Sequence, residues 1–263
     1  MKSINPLFLF SLAFWLTAEG AFAQAQSANQ PTLFIIGDST VRNGTKGQMG
    51  WGDPITALFD SAKIRVVNRA IGGRSSRTFL TEGRWEKILE ELKSGDFVLM
   101  QFGHNDSGPL DDTSRARGSI HGTGEETREI NNPITKKQEV VHSYGWYLRQ
   151  YVRDAKAKGA TPIVCSPVPR NIWKTSRVAR ASGDYGKWAA EVAASEHAAF
   201  LDLNELIARR YETMGEEKVK DLFFGDHTHT NPESARLNAE IVVAGLKALS
   251  DCPLSRFLRV KPQ

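Results

Sequence analysis

Five short, almost uninterrupted apolar runs alternate with stretches of helical periodicity, and this alternation constrains the fold more than any other feature of the chain. The runs are "TLFIIGD" from Thr32, "IRVVNRAIGG" from Ile64, "DFVLMQFGHND" from Asp96, "TPIVCSPVP" from Thr161 and "AAFLDLNE" from Ala198. A strand that is apolar at nearly every position has to be buried on both faces, which happens in a parallel sheet covered by helices on each side. Between the runs, "WGDPITALFD", "GRWEKILEELKSG", the segment from about Val141 to Lys158, and "YGKWAAEVAASEH" read as helices. A last helix starts near Pro232. The expectation is therefore an α/β domain with a five-stranded parallel sheet. The polar segment Ser107–Lys137 fits neither pattern. A loop of that length inside a compact domain is usually a functional lid or binding loop, or else disordered.

The 263 residues are enough for one domain, taken to span residues 24–263. Residues 1–23 are set apart as a secretory signal peptide. Lys2 precedes the apolar run "PLFLFSLAFWL", and Ala21-Phe22-Ala23 supplies a small-x-small cleavage site. The protein is accordingly expected in the periplasm or outside the cell, with no membrane partner. Export permits a disulfide, but Cys165 lies inside an apolar run and reads first as a small buried hydrophobe, so a bond to Cys252 is not expected. No Cys/His cluster suggests a metal site. A net charge of +4 spread along the chain, without a basic block, argues against nucleic acid and favours, if anything, an acidic ligand.

In a parallel sheet, ligands bind beyond the carboxyl ends of the strands. Here those ends carry Gly37-Asp38-Ser39, Gly72-Gly73 and Gly103-His104-Asn105-Asp106, and "GDHTHTNPES" precedes the last helix. Taken singly, Ser39 would most often cap a helix, Gly73 and Asn105 would be turn residues, and His227 would be a surface group as often as a substrate contact. Together they form an inventory for acyl transfer. A serine hydroxyl becomes a competent nucleophile when a neutral imidazole takes its proton. His229 is assigned as that base, and Asp226, three residues earlier, as the carboxylate that orients it. The oxyanion formed on attack needs fixed donors, which the amides of Ser39 and Gly73 and the side chain of Asn105 can supply. The serine is not in a G-x-S-x-G elbow, and "GTKG" lacks the order of a phosphate-binding loop.

These motifs resemble the SGNH (or GDSL) hydrolases, named for the Ser, Gly, Asn and His that correspond here to Ser39, Gly73, Asn105 and His229. Within that superfamily, "GDST", "NRAIGGRSSRTF", "FGHND", "GTGEE", "PVPRNIW" and "DHTHTNPESA" are most similar to rhamnogalacturonan acetylesterases. The resemblance runs from about Thr32 to Leu249. It implies a three-layer α/β/α flavodoxin-like fold, release of O-acetyl groups from galacturonate in pectin through an acyl-serine, and no cofactor. The expected partner is an acetylated pectic polysaccharide, and the expected state a monomer. Alternatives are an SGNH esterase for acetylated xylan, a short-chain lipid or a thioester, and a polysaccharide-binding protein on the same scaffold; a complete triad speaks against the last.

Galacturonate carries a carboxylate, which a planar guanidinium can grip through both oxygens. Arg74 and Arg77 after the oxyanion glycine, Asn171 and Trp173 after the fourth strand, and His227 beside the base are therefore the candidate substrate-binding residues. Arg42 and Arg170 are near them in the pattern.

Overall fold

The computed structural model describes residues 30–181, 184–250 and 252–259. The expected leader at residues 1–23 lies outside them. Five parallel strands form the central sheet in the order β2-β1-β3-β6-β9: β1 (Thr32–Gly37), β2 (Arg65–Asn68), β3 (Phe97–Gln101), β6 (Thr161–Cys165) and β9 (Ala199–Leu201). Register places Gly37 opposite Gln101, Gln101 opposite Cys165, and Cys165 opposite Leu201. Four strands thus end on one line, and whatever follows each of them emerges along the same edge.

Side chains alternate across this sheet, and each face has its own core. Leu33, Ile35, Leu99 and Ile163 point into one cluster, with α5 (Leu203–Met214) and α7 (Pro232–Ala248) packed on it through Ile207, Tyr211, Val242 and Leu246. Phe34, Ile36, Val98, Met100 and Val164 point into the other. That face is covered by α2 (Arg84–Glu91), α3 (Tyr144–Ala157) and α4 (Tyr185–Ser195), through Trp85, Ile88, Tyr147, Tyr151 and Val192. The inner strands β1, β3 and β6 are apolar at nearly every position because both faces are dry there, whereas the edge strand β2 is only half-buried. The result is the expected three-layer α/β/α arrangement. Cys165 and Cys252 are both buried and unpaired.

Several local expectations are corrected. "WGDPITALFD" forms only a short 3-10 turn, Pro54–Leu58, because Phe59 leaves it in an extended conformation to bridge Leu258. Helix α7 packs against that turn and covers the sheet where a crossover helix was expected. The fifth apolar run divides after Leu201, since the Asp202 carboxylate accepts from the Glu205 amide and caps α5. Helix α3 begins at Tyr144, not Val141, capped by Ser143 Oγ on the Trp146 amide. A short helix α1 (Ser76–Thr81) follows the oxyanion glycine, closed by a capping box between Ser75 and Thr78. The long polar segment carries the hairpin β4 (Thr127–Asn131) and β5 (Gln138–His142). The remaining elements are the two-residue strands β7 (Trp173–Lys174) and β8 (Arg177–Val178) and the short helix α6 (Glu216–Lys220).

Candidate active site

The chain turns sharply after β1, with the Asp38 carbonyl accepting from the Val41 and Arg42 amides at 3.1 and 3.0 Å, and this exposes Ser39 at the sheet edge. Ser39 Oγ lies 2.9 Å from His229 Nε2, and His229 Nδ1 lies 2.6 Å from Asp226 Oδ2. Because Asp226 can only accept, the proton sits on Nδ1, and Nε2 is left with its lone pair toward the Ser39 hydroxyl. The other carboxylate oxygen accepts from the Thr228 and His229 amides at 2.7 and 2.8 Å. Burial would push the Asp226 carboxyl up, but the bonds from the His229 ring and from these two amides outweigh it and hold it below the usual range. A serine 190 residues from the imidazole is thereby lined up with it and with the neighbouring carboxylate for proton transfer.

Donors for an oxyanion are arranged around the same hydroxyl. The β-ladder extends past β2, with the Arg69 amide donating to Ile35 O at 2.8 Å and the Ile71 amide to Gly37 O at 3.0 Å. This carries Gly72 and Gly73 to Ser39. The turn closes with the Arg74 amide on Ile71 O at 3.3 Å, and Gly73 sits at φ +79°, a conformation that a side chain would strain. Asn105 Nδ2 donates one hydrogen to Arg74 O at 2.8 Å, which fixes the amide and leaves its second hydrogen free.

Two buried aspartates brace these loops. Asp38 accepts from the Thr40 amide and hydroxyl, both at 2.8 Å, and faces His104 Nδ1 at 3.3 Å. Burial raises its pKa, but His104 and Thr40 together bring it below the usual carboxylate value. Asp106, next to Asn105, forms no salt bridge among the described residues. Burial pushes it up to about 6 against the opposing bonds from Ser76 and Ser119.

Ser39 and His229 open onto a cleft of about 830 Å³. Its lining holds four arginines, Arg74, Arg115, Arg117 and Arg170, against one carboxylate, Glu82. Glu82 pairs with Arg74 at 3.0 Å, whereas Arg115, Arg117 and Arg170 form no salt bridge among the described residues.

The residues expected to bind substrate divide. Arg74 lines the cleft. Arg77 does not: it is fully buried, with Nε and Nη2 on Glu139 at 2.7 and 2.8 Å and Nη1 on the carbonyls of Leu110 and Gly118 at 2.8 Å each. It is a structural cation under the long loop. Asn171, Trp173 and His227 also stand outside the cleft lining. Trp173 packs on the core and donates to Asn171 Oδ1 at 2.7 Å, while the Asn171 amide donates to His227 O at 2.7 Å. Arg42 reaches back to Asn68 O at 3.1 Å. Sequence reasoning missed Arg115 and Arg117. The arginine-containing "SRARG" inside an otherwise unexplained long loop was the available signal.

Fold and site together define a three-layer α/β/α protein with a serine–histidine–aspartate constellation at the carboxyl edge of its sheet. Comparison with known proteins narrows that class. Residues 35–237 match the GDSL-like Lipase/Acylhydrolase family. The chain is 33% identical over 224 residues to a rhamnogalacturonan acetylesterase of Emericella nidulans, covering 85% of this chain and 86% of that one. It is 28% identical over 235 residues to the rhamnogalacturonan acetylesterase RhgT of Bacillus subtilis, covering 82% and 90% of the two chains. Among solved structures, protein YxiM of Bacillus subtilis superposes with a TM-score of 0.68 at 26% identity, over 84% of this chain and 57% of that longer one. The chain belongs to the GDSL-like lipase/acylhydrolase family and is a serine carboxylic ester hydrolase.

Proposed function

We propose that the protein removes O-acetyl groups from an acidic pectic polysaccharide, with Ser39 as nucleophile, His229 as general base and acid, and Asp226 as the group that orients His229. The observation that carries the substrate class is the cleft itself: four arginines against one carboxylate around the reactive serine. Similarity to two rhamnogalacturonan acetylesterases supports the same choice. Such a polymer lies outside the cell, in agreement with the leader read in residues 1–23.

The chemistry follows from the geometry. Ser39 Oγ attacks the acetyl carbonyl carbon as its proton passes to His229 Nε2, 2.9 Å away. The new imidazolium is stabilised by the Asp226 carboxylate. The carbonyl oxygen becomes an oxyanion held by the Ser39 and Gly73 amides and the free hydrogen of Asn105, and each such donor is worth roughly 3–4 kcal/mol. Collapse breaks the bond to the sugar oxygen, which takes the proton from His229 and leaves as the free hydroxyl. Water then attacks the acetyl-serine, giving its proton to His229, and the second collapse returns that proton to Ser39 Oγ and releases acetate.

The test is acetate release from acetylated rhamnogalacturonan, acetylated xylan and p-nitrophenyl acetate by the wild type and Ser39→Ala. The wild type should prefer the acidic polymer, and Ser39→Ala should lose several orders of magnitude in kcat on all three. Equal rates on the two polymers would remove the acidic substrate, and an active Ser39→Ala would remove the nucleophile.

A further inference from the structure

Both carbonyls of the glycine pair at the oxyanion site are held by guanidinium groups. Arg74 Nη1 donates to Gly72 O at 3.2 Å, and Arg117 Nη1 donates to Gly73 O at 3.2 Å. The first of these carbonyls belongs to the same peptide unit as the Gly73 amide, the expected oxyanion donor. A hydrogen bond accepted at a peptide oxygen polarises the unit and strengthens donation from its N–H. The second carbonyl lies in the next unit, whose orientation fixes Gly73 in its left-handed turn.

The placement of Arg117 is built, not incidental. Ala116, immediately before it, is held at φ +44°, where a non-glycine residue is rare and strained. Immediately after it, Gly118 packs so tightly that a Cβ there would sit 1.9 Å from Gly108 O. Ser119 is tied to Asp106 twice, by its amide on Asp106 O at 3.0 Å and its hydroxyl on Oδ1 at 3.1 Å. From below, the buried Arg77 grips Gly118 O at 2.8 Å. Asp106 in turn adjoins Asn105 and accepts from the Ser76 amide at 3.1 Å. One buried framework therefore aligns the third oxyanion donor, the helix after Gly73, and the segment presenting Arg117. Arg117 forms no salt bridge among the described residues; the Asp38, Asp106 and Asp112 carboxylates act on it only through space, and burial, with Arg115 beside it, lowers its pKa.

We propose that Arg117, with Arg74, is a positioning residue of the oxyanion site: it locks the Gly72-Gly73 turn and keeps a positive charge beside the developing oxyanion. The role rests on Ser39 and Gly73 acting as described above, and it is independent of the sugar. It distinguishes Arg117 and Arg74 from Arg115 and Arg170, because it concerns the turnover of any ester, including one without charge.

The experiment is steady-state kinetics of the full chain on p-nitrophenyl acetate, a neutral ester, with Ser39→Ala as control. Arg117→Ala should lower kcat about 10-fold with KM unchanged, less than the roughly 10²–10³-fold expected for losing a direct oxyanion donor. Millimolar guanidinium ion should restore part of that kcat to Arg117→Ala and none to Ser39→Ala, a rescue that general loosening of the loop would not produce. If Arg117→Ala does not fold, Arg117→Gln, which removes the charge and carries its amide two bonds short of the Nη1 position that reaches Gly73 O, should also lower kcat. Unchanged kcat on the neutral ester in the folded variant, with loss only on acidic polysaccharide, would overturn the proposal and make Arg117 a carboxylate-binding residue. An active Ser39→Ala would instead overturn the site on which it rests.

Discussion

The Asp226 carboxylate holds His229 by two bonds at once, Oδ2 at 2.6 Å from the ring Nδ1 and Oδ1 at 2.8 Å from the backbone amide. This double attachment explains why a spacing of three residues is sufficient. The carboxylate fixes the backbone of the residue whose ring it orients. Asp226→Asn can present an amide N–H toward Nδ1, favouring the tautomer with its proton on Nε2, where it cannot accept from Ser39. We expect kcat to fall by about 10⁴-fold while the fold is kept, as in other triads. His227→Ala should retain most activity, since His227 is outside the cleft lining and contributes its carbonyl to the Asn171 amide. Kinetics of the two variants on one small ester decide between them, and a dead His227→Ala with an active Asp226→Asn would refute the assignment.

Arg77 supports the fold, and its loss should appear in stability first. Arg77→Met would leave Glu139 without its guanidinium, and the Leu110 and Gly118 carbonyls without their shared donor. Breaking a buried ion pair from one side typically costs about 3–5 kcal/mol. Urea unfolding should show a loss of that order. A variant as stable as the wild type would show that the pair contributes nothing net.

These arginines mark the limit of what the sequence makes legible. The five sheet strands can be read because burial on both faces forces continuous apolar runs, and Ser39, Gly73, Asn105, Asp226 and His229 can be read because they stand at the carboxyl ends of those strands or just before a helix. Hairpin β4–β5 leaves no such trace: only Ile130 and Val141 are buried in it, so its strands are as polar as a loop. Which arginine faces the cleft is a tertiary property. Arg74 and Arg77 are three residues apart in one motif, yet Arg77 turns inward to meet Glu139, a partner 62 residues away that no local pattern reveals. Arg117 reaches Gly73 across 44 residues for the same reason.

Asp106 gives a pH dependence with a definite sign. Its carboxyl is raised from 3.8 to about 6 in the folded protein, so between those values the folded state binds more protons than the unfolded one. Stability arising from this group is complete below the unfolded value and is lost as the pH rises toward 6. Asp226, Asp38 and Glu139 are shifted downward and act in the opposite sense, losing their contribution as the pH falls. The difference between wild type and Asp106→Asn isolates the one group. In urea titrations at several pH values, the wild type should gain stability relative to Asp106→Asn as the pH is lowered from about 6 to about 4. A difference independent of pH would show that Asp106 does not titrate in that window.

Arg115 tests the acidic substrate apart from the oxyanion machinery. It is exposed in the cleft lining, forms no salt bridge among the described residues, and has no bond to the Gly72-Gly73 turn. Its contribution to binding a uronate carboxylate should therefore be attraction of an exposed charge, screened over about 8–10 Å at physiological ionic strength. Arg115→Ala should raise KM for acetylated rhamnogalacturonan and leave kcat nearly unchanged, because the interaction is the same in the ground and transition states. Kinetics on p-nitrophenyl acetate should be unaltered. Added salt should raise KM of the wild type on the acidic polymer more than that of Arg115→Ala, since the variant has less attraction to screen. If neither salt nor the substitution changes KM on the pectic substrate, the arginine-lined cleft is not reading carboxylates, and the ester hydrolase would have to find its specificity in the sugar hydroxyls.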